Sequence, residues 1–151
     1  MRHFVFLLGD DEARRWQKVA VIPNSLKVKQ SRFGKLGVGD TLWMFRITWD
    51  PQDAFLCGRF EVGEIARMGS GDLELRPSAG SPGALRNLSL ADADLKVEYL
   101  ACDGNVAGFK SSTWGGGSVE LKGKKWSGFR SGWEINSKSA ARLDFLWQKA
   151  K

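Results

Sequence analysis

Apolar and polar residues alternate most cleanly from Thr41 to Thr48. There Thr41, Trp43, Phe45 and Ile47 fall on one face of an extended chain, and Leu42, Met44, Arg46 and Thr48 on the other. Both faces begin apolar, as in a central strand covered on two sides, and the preceding Gly39-Asp40 supplies its turn. The segment from Phe55 to Ala66 sets Phe60 and Val62 against Arg59 and Glu61, and is the natural partner of that strand. The intervening Trp49–Ala54 stretch reads as longer than a tight hairpin turn, which leaves Trp49 beyond the strand end.

The rest of the chain is built of shorter pieces. His3 to Leu8 is apolar and strand-forming, and Asp10 to Lys18 reads as a short helix with Asp10 or Asp11 as its cap. Val19 to Ile22 is extended and stops at Pro23-Asn24. Ser25 to Leu36 is basic, with apolar Leu26, Val28, Phe33 and Leu36, and is expected to be a loop leading into a helical turn. Met68 to Leu88 is rich in Gly, Ser and Pro and reads as a surface loop, with a short strand at Asp72 to Arg76. Leu88 to Asp94 suits one helical turn, Leu95 to Ala101 a strand, Gly104 to Gly117 a Gly/Ser-rich loop, and Ser118 to Leu121 a short strand. Trp126 to Ile135 is aromatic and extended. Ser137 or Ser139 is expected to cap a last helix that packs through Leu143, Leu146 and Trp147. The sum is one α+β domain over residues 1–151: a small mixed, mostly antiparallel β-barrel of five or six strands, partly open and flanked by short helices.

Composition narrows the function. The hydrophobic share of 42% and charged share of 26% are ordinary for a globular protein, and no apolar run is long enough to span a membrane. The apolar Phe4–Leu8 run is short and ends in Gly9-Asp10-Asp11-Glu12, so it reads as a strand and not as a secretory leader; a cytoplasmic protein is expected. Cys57 and Cys102 sit in no metal-ligand spacing, and His3 is the only histidine. Reduced, buried thiols are expected, with no metal or cofactor and no histidine-based catalysis. The net charge of +6 is uneven: +4 over residues 1–50, −4 over 51–105 and +6 over 106–151. If the basic ends meet, they form one face suited to a phosphate backbone; the plainer reading is a solubilising surface.

Seven tryptophans, nine phenylalanines and one tyrosine are more rings than so small a core needs, and some are free to hold a flat ligand. Lys27, Lys29 and Arg32 form one basic segment. Lys124, Lys125 and Arg130 form another, interleaved with Trp126 and Trp133, a mixture suited to single-stranded nucleic acid. Trp43 is assigned to the core and Trp16 to packing beneath its helix. Trp114, in a Gly/Ser loop, suits ligand contact or loop anchoring equally. A rival pattern is Asp103 with Glu120-Leu121-Lys122, the carboxylate–carboxylate–lysine order of metal-dependent nucleases. It is short and degenerate, and no helix precedes Asp103. A protein–protein interaction module is the third alternative.

The order of features resembles the PUA-like superfamily, and most closely the EVE domain and its YTH relatives. The resemblance rests on the apolar strand with an acidic turn (Phe4–Glu12), the extended Val19–Asn24, the basic stretch, the Gly39–Arg46 turn and aromatic strand, its partner Cys57–Ile65, and the aromatic segment and helix from Trp126 to Trp147. It covers residues 3–66 and 125–148. The chain departs from the EVE pattern in having Phe4 where tryptophan is common, Ile22-Pro23-Asn24 for a Val-Arg-Asn type segment, and Phe45-Arg46 for Tyr-His. The resemblance implies a non-catalytic module that binds DNA or RNA and takes a nucleobase, often a modified one, into an aromatic pocket. Its partners would include other proteins of a defence or RNA-processing system, and no membrane. On this reading Trp49, Asn24, Phe45, Arg46 and Trp114 hold the base, with Asn24 reading its edge, and the two basic segments hold the backbone.

Overall fold

A computed structural model describes residues 1–8, 25–49, 52–79, 84–85, 96–101, 106–111 and 131–149; within these, the side chains of 47–49, 52–54, 84–85, 96–101, 106–111 and 149 are not described. The strands are β1 (His3–Leu8), β2 (Leu26–Lys29), β3 (Thr41–Trp49), β4 (Gln52–Arg67), β5 (Asp72–Pro77), β6 (Ala84–Leu85), β7 (Lys96–Ala101), β8 (Val106–Ser111) and β9 (Glu134–Ile135). The helices are α1 (Gln30–Phe33) and α2 (Ser137–Lys149).

The fold is a small α+β, barrel-like one, built on a mixed sheet. The strand order is β2-β5-β4-β3-β1-β9-β8-β7, and β7 pairs back onto β4 through Ala54–Val97 and Phe55–Lys96, so the sheet curls round upon itself. The pairs β1–β3 and β8–β9 are parallel and the rest antiparallel. More strands are present than the five or six expected. β6 and β9 are two residues each, too short to leave a period in the sequence. β2 alternates buried and exposed residues as a strand should, but over only four positions.

β4 is long because it pairs along its length first with β3 and then with β5. Its first part pairs with β3, where Cys57 is an extra residue bulging between Met44–Gly58 and Phe45–Leu56. At a second irregularity, between Val62 and Glu64, it leaves β3 and continues along β5. Gly63 occupies that bend because a side chain there would begin 2.6 Å from the Ser78 Cα. β3 and β4 join across residues 50–51, with Trp49 paired to Gln52, so the connection is shorter than expected and Trp49 ends the strand instead of lying beyond it.

As the alternation requires, β3 is buried on both faces. Leu42 and Met44 join Phe4, Leu8, Phe60 and Val62 in a core closed by Leu26, Val28, Leu73 and Leu75 of β2 and β5 and by Phe33 of α1. Trp43 and Phe45 are each 0% exposed on the opposite face. α2 lies against β8 and buries Ala140, Leu143, Leu146 and Trp147. Its cap is Asn136 and not Ser137 or Ser139: the Ser139 N–H donates to Asn136 Oδ1 at 2.8 Å. Cys57 is buried and free; burial pushes its thiol up to about 12, and the thiol faces the Met44 carbonyl at 3.5 Å. Among the described residues no helix is long and apolar enough to cross a membrane.

Candidate functional site

The Gly37–Asp40 turn fixes how β1 meets β3. The Asp40 carboxylate accepts the Arg2 N–H at 2.9 Å and the Gly37 N–H at 2.7 Å, while Gly39 N–H and Asp40 C=O bond to Val62. The start of the chain is thereby locked in register, with Phe6 beside Met44 and Leu7 beside Phe45. On the other edge of β1, the chain just before β9 is docked. Val5 N–H donates to Trp133 C=O at 2.9 Å, Gly132 N–H to Val5 C=O at 2.8 Å, and Leu7 N–H to the Ser131 hydroxyl at 2.8 Å.

These contacts frame a cleft of about 320 Å³ between β1, β2, α1 and Ser131, at the small end of the range for ligand clefts. Phe6 stands half-buried at its mouth, with its ring centroid 6.3 Å from that of Phe33 and tilted by 36°. Phe33 and Val28 form an apolar floor, and Lys27, Lys29 and Arg32 stand around the rim. The lysines are exposed because β2 alternates Leu26 and Val28 into the core and Lys27 and Lys29 out of it. Across the ladder they face Glu74 and Asp72, but Glu74 is drawn to Arg76 at 3.4 Å and Asp72 accepts the Ser70 hydroxyl at 3.0 Å. Among the described residues, Lys27, Lys29 and Arg32 engage no carboxylate.

A second cleft, also of about 320 Å³, lies on the far side of Arg32 and includes Ser31, Lys35, Gly132 and Glu134. Gly132 lines this second cleft and directly follows Ser131 of the first. Its φ of 91° is left-handed, and a side chain there would run into the Arg32 carbonyl.

The sequence-derived site is thus brought together only in part. Lys27, Lys29 and Arg32 converge on one cleft. Phe45 is fully buried in the interior, so its ring offers no face to a ligand arriving from solvent. Arg46 is half-buried beside Cys57, whose thiol feels its charge. The backbone of Trp49 lies five residues along β3 from Met44, the partner of Phe6, which sets it roughly 16 Å from the level of the cleft. Asn24, Trp114, Lys124, Lys125 and Arg130 lie outside the described residues, as do Asp103, Glu120 and Lys122 of the nuclease pattern. Phe6, Leu7, Phe33 and Ser131 were not anticipated. In the sequence Phe6 reads as one residue of an apolar strand and Phe33 as an apolar position of the basic segment, and only the clustering of cations on Leu26–Phe33 points toward this place.

No family model matches this chain, and no curated protein or solved structure matches it either. The reading of the site therefore rests on its own residues.

Proposed function

We propose that this protein is a non-catalytic nucleic-acid-binding module that seats a nucleobase in the Phe6–Phe33 cleft and holds the adjoining backbone on Lys27, Lys29 and Arg32. The single observation that carries this reading is one cleft combining a half-buried ring, an apolar floor and three cations without carboxylate partners among the described residues. A base leaving its stack recovers roughly 1–3 kcal/mol on an aromatic side chain, whatever its identity. Cations beside the ring then supply the sequence-independent attraction to phosphates. The PUA-like, EVE-type resemblance of residues 3–66 and 125–148 supports the same class of ligand, and a methylated base would add apolar surface against Phe6, Phe33 and Val28.

Titrating labelled single-stranded oligonucleotides, plain and base-methylated, by fluorescence anisotropy tests this. Saturable binding is expected, weakened about tenfold or more by Phe6→Ala and by Arg32→Glu. Trp49→Ala should leave it unchanged; loss there instead would move the pocket to the end of β3. Absence of binding by every strand up to high micromolar concentration would refute the proposal.

A further inference from the structure

The second cleft differs from the first in chemistry. Among the described residues its only ring is Phe4, which is 1% exposed and has no face to stack on. Besides Gly34 and Gly132, the other described lining residues are polar or charged: Ser31, Arg32, Lys35 and Glu134. A site without an aromatic face but with cations and hydroxyl-binding groups suits a sugar–phosphate rather than a base. Arg32 lines both clefts, so a strand whose base occupies the first passes over Arg32 and lays its next sugar in the second.

Glu134 decides which sugar. A carboxylate only accepts hydrogen bonds, and it repels phosphate, so its presence in a phosphate-binding groove calls for a donor on the ligand. Ribose supplies one in its 2′-hydroxyl and deoxyribose does not. Glu134 is held in place by Arg2, whose Nε lies 3.5 Å from Oε1. One such contact leaves most of the lone-pair sites of a carboxylate available for a ligand hydroxyl. Arg2, Arg32 and Lys35 together outweigh its charge, so the phosphate is not driven off.

We infer that the second cleft receives the ribose of the neighbouring nucleotide, with its 2′-hydroxyl donating to Glu134, and that the ligand is single-stranded RNA. This rests on the nucleic-acid reading of the first cleft and adds the sugar to it.

The test compares matched RNA and DNA oligonucleotides, and an RNA carrying 2′-deoxy substitutions one nucleotide at a time, on wild type, Glu134→Ala and Glu134→Gln. Wild type should prefer RNA roughly tenfold, the worth of one hydrogen bond to a charged group. A single 2′-deoxy position should remove that preference. Glu134→Ala should bring RNA and DNA to one common level, with DNA binding strengthened if changed at all because a charge that repels phosphate is gone, and should be blind to the 2′-deoxy substitution. Glu134→Gln, which keeps one acceptor, should fall between. Equal RNA and DNA binding by wild type, or an equal loss for both in Glu134→Ala, overturns the ribose assignment while leaving the binding module standing. If neither strand binds, the module itself is refuted and the assignment falls with it.

Discussion

His3 shows how much the interior demands of a single side chain. The Trp43 indole N–H donates to His3 Nδ1 at 3.0 Å, the two rings stack with centroids 6.2 Å apart, and the Arg59 guanidinium lies 5.5 Å from the Trp43 ring. Trp43 has no exposed surface, so this bond satisfies a donor that water cannot reach. The acceptor works only while Nδ1 is unprotonated. Burial first, and then the charge of Arg59, hold His3 below its ordinary 6.5, against the weaker opposing pull of Asp144 and Asp40. The sign follows. Above the unfolded value the ring is neutral in both states and the stabilisation is complete. As pH falls through that value the unfolded chain takes up the proton first, and stability is lost until the folded ring titrates too. The urea midpoint should therefore drop as pH goes from about 7 to about 5. His3→Asn, whose amide oxygen still accepts from the indole, should lack that component. Parallel midpoints for the two proteins across the range would show that His3 carries no linkage. Other residues illustrate what was legible: Trp43 reads as core from its strand face, whereas Phe45, two positions on along the same face, is assigned to the pocket by the family resemblance and proves to be core. Alternation tells which side a ring faces, not whether that side is covered.

Strands and helices were legible by apolar contrast more than by length: β8, six residues like β1, β5 and β7, lies in the stretch read as a Gly/Ser-rich loop. β1, β3, β4, β5 and β7 follow the periodicity closely, and α2 shows its buried Leu143, Leu146 and Trp147 in the spacing alone. Its start is less plain, because Asn136, Ser137 and Ser139 are all capping residues and only geometry selects Asn136. The Ser131–Trp133 segment reads as part of an extended aromatic stretch, yet only Glu134–Ile135 is strand; Ser131–Trp133 turns and lies on β1 through three hydrogen bonds, two of them to main-chain groups. Gly132 makes that docking possible, which gives a sharp prediction. Gly132→Ala must place a side chain at a φ of 91° and against the Arg32 carbonyl. The left-handed backbone alone costs about 1–2 kcal/mol, and the collision adds to it. The urea midpoint should fall accordingly, and oligonucleotide binding should weaken because both clefts share Arg32. A variant matching wild type in both would mean that this segment does not frame the site.

The charge distribution acts over the entire protein. A net +6 concentrated toward the two chain ends anticipates one basic face if those ends meet. Parts of the two ends do meet: β9 and Ser131–Trp133 lie along β1, and Gly132 abuts the Arg32 backbone. If Lys27, Lys29 and Arg32 each neutralise one phosphate of a single strand, log K should fall against log salt with a slope of roughly −2, and Arg32→Ala should flatten it by about 0.7. A slope near zero would mean that the cations serve solubility alone. The amino-acid order determined the strand periods, the faces they bury and the basic run at Lys27–Arg32, since each is a relation between neighbours a few residues apart. The cleft was decided elsewhere. Leu7 and Ser131, separated by 124 positions, are joined by one hydrogen bond, and Phe6 reaches Phe33 only because β1 lies parallel to β3 with β2 and α1 folded over the same face. Such encounters are set by which strands pair and in what register, and a periodicity of two says nothing about either.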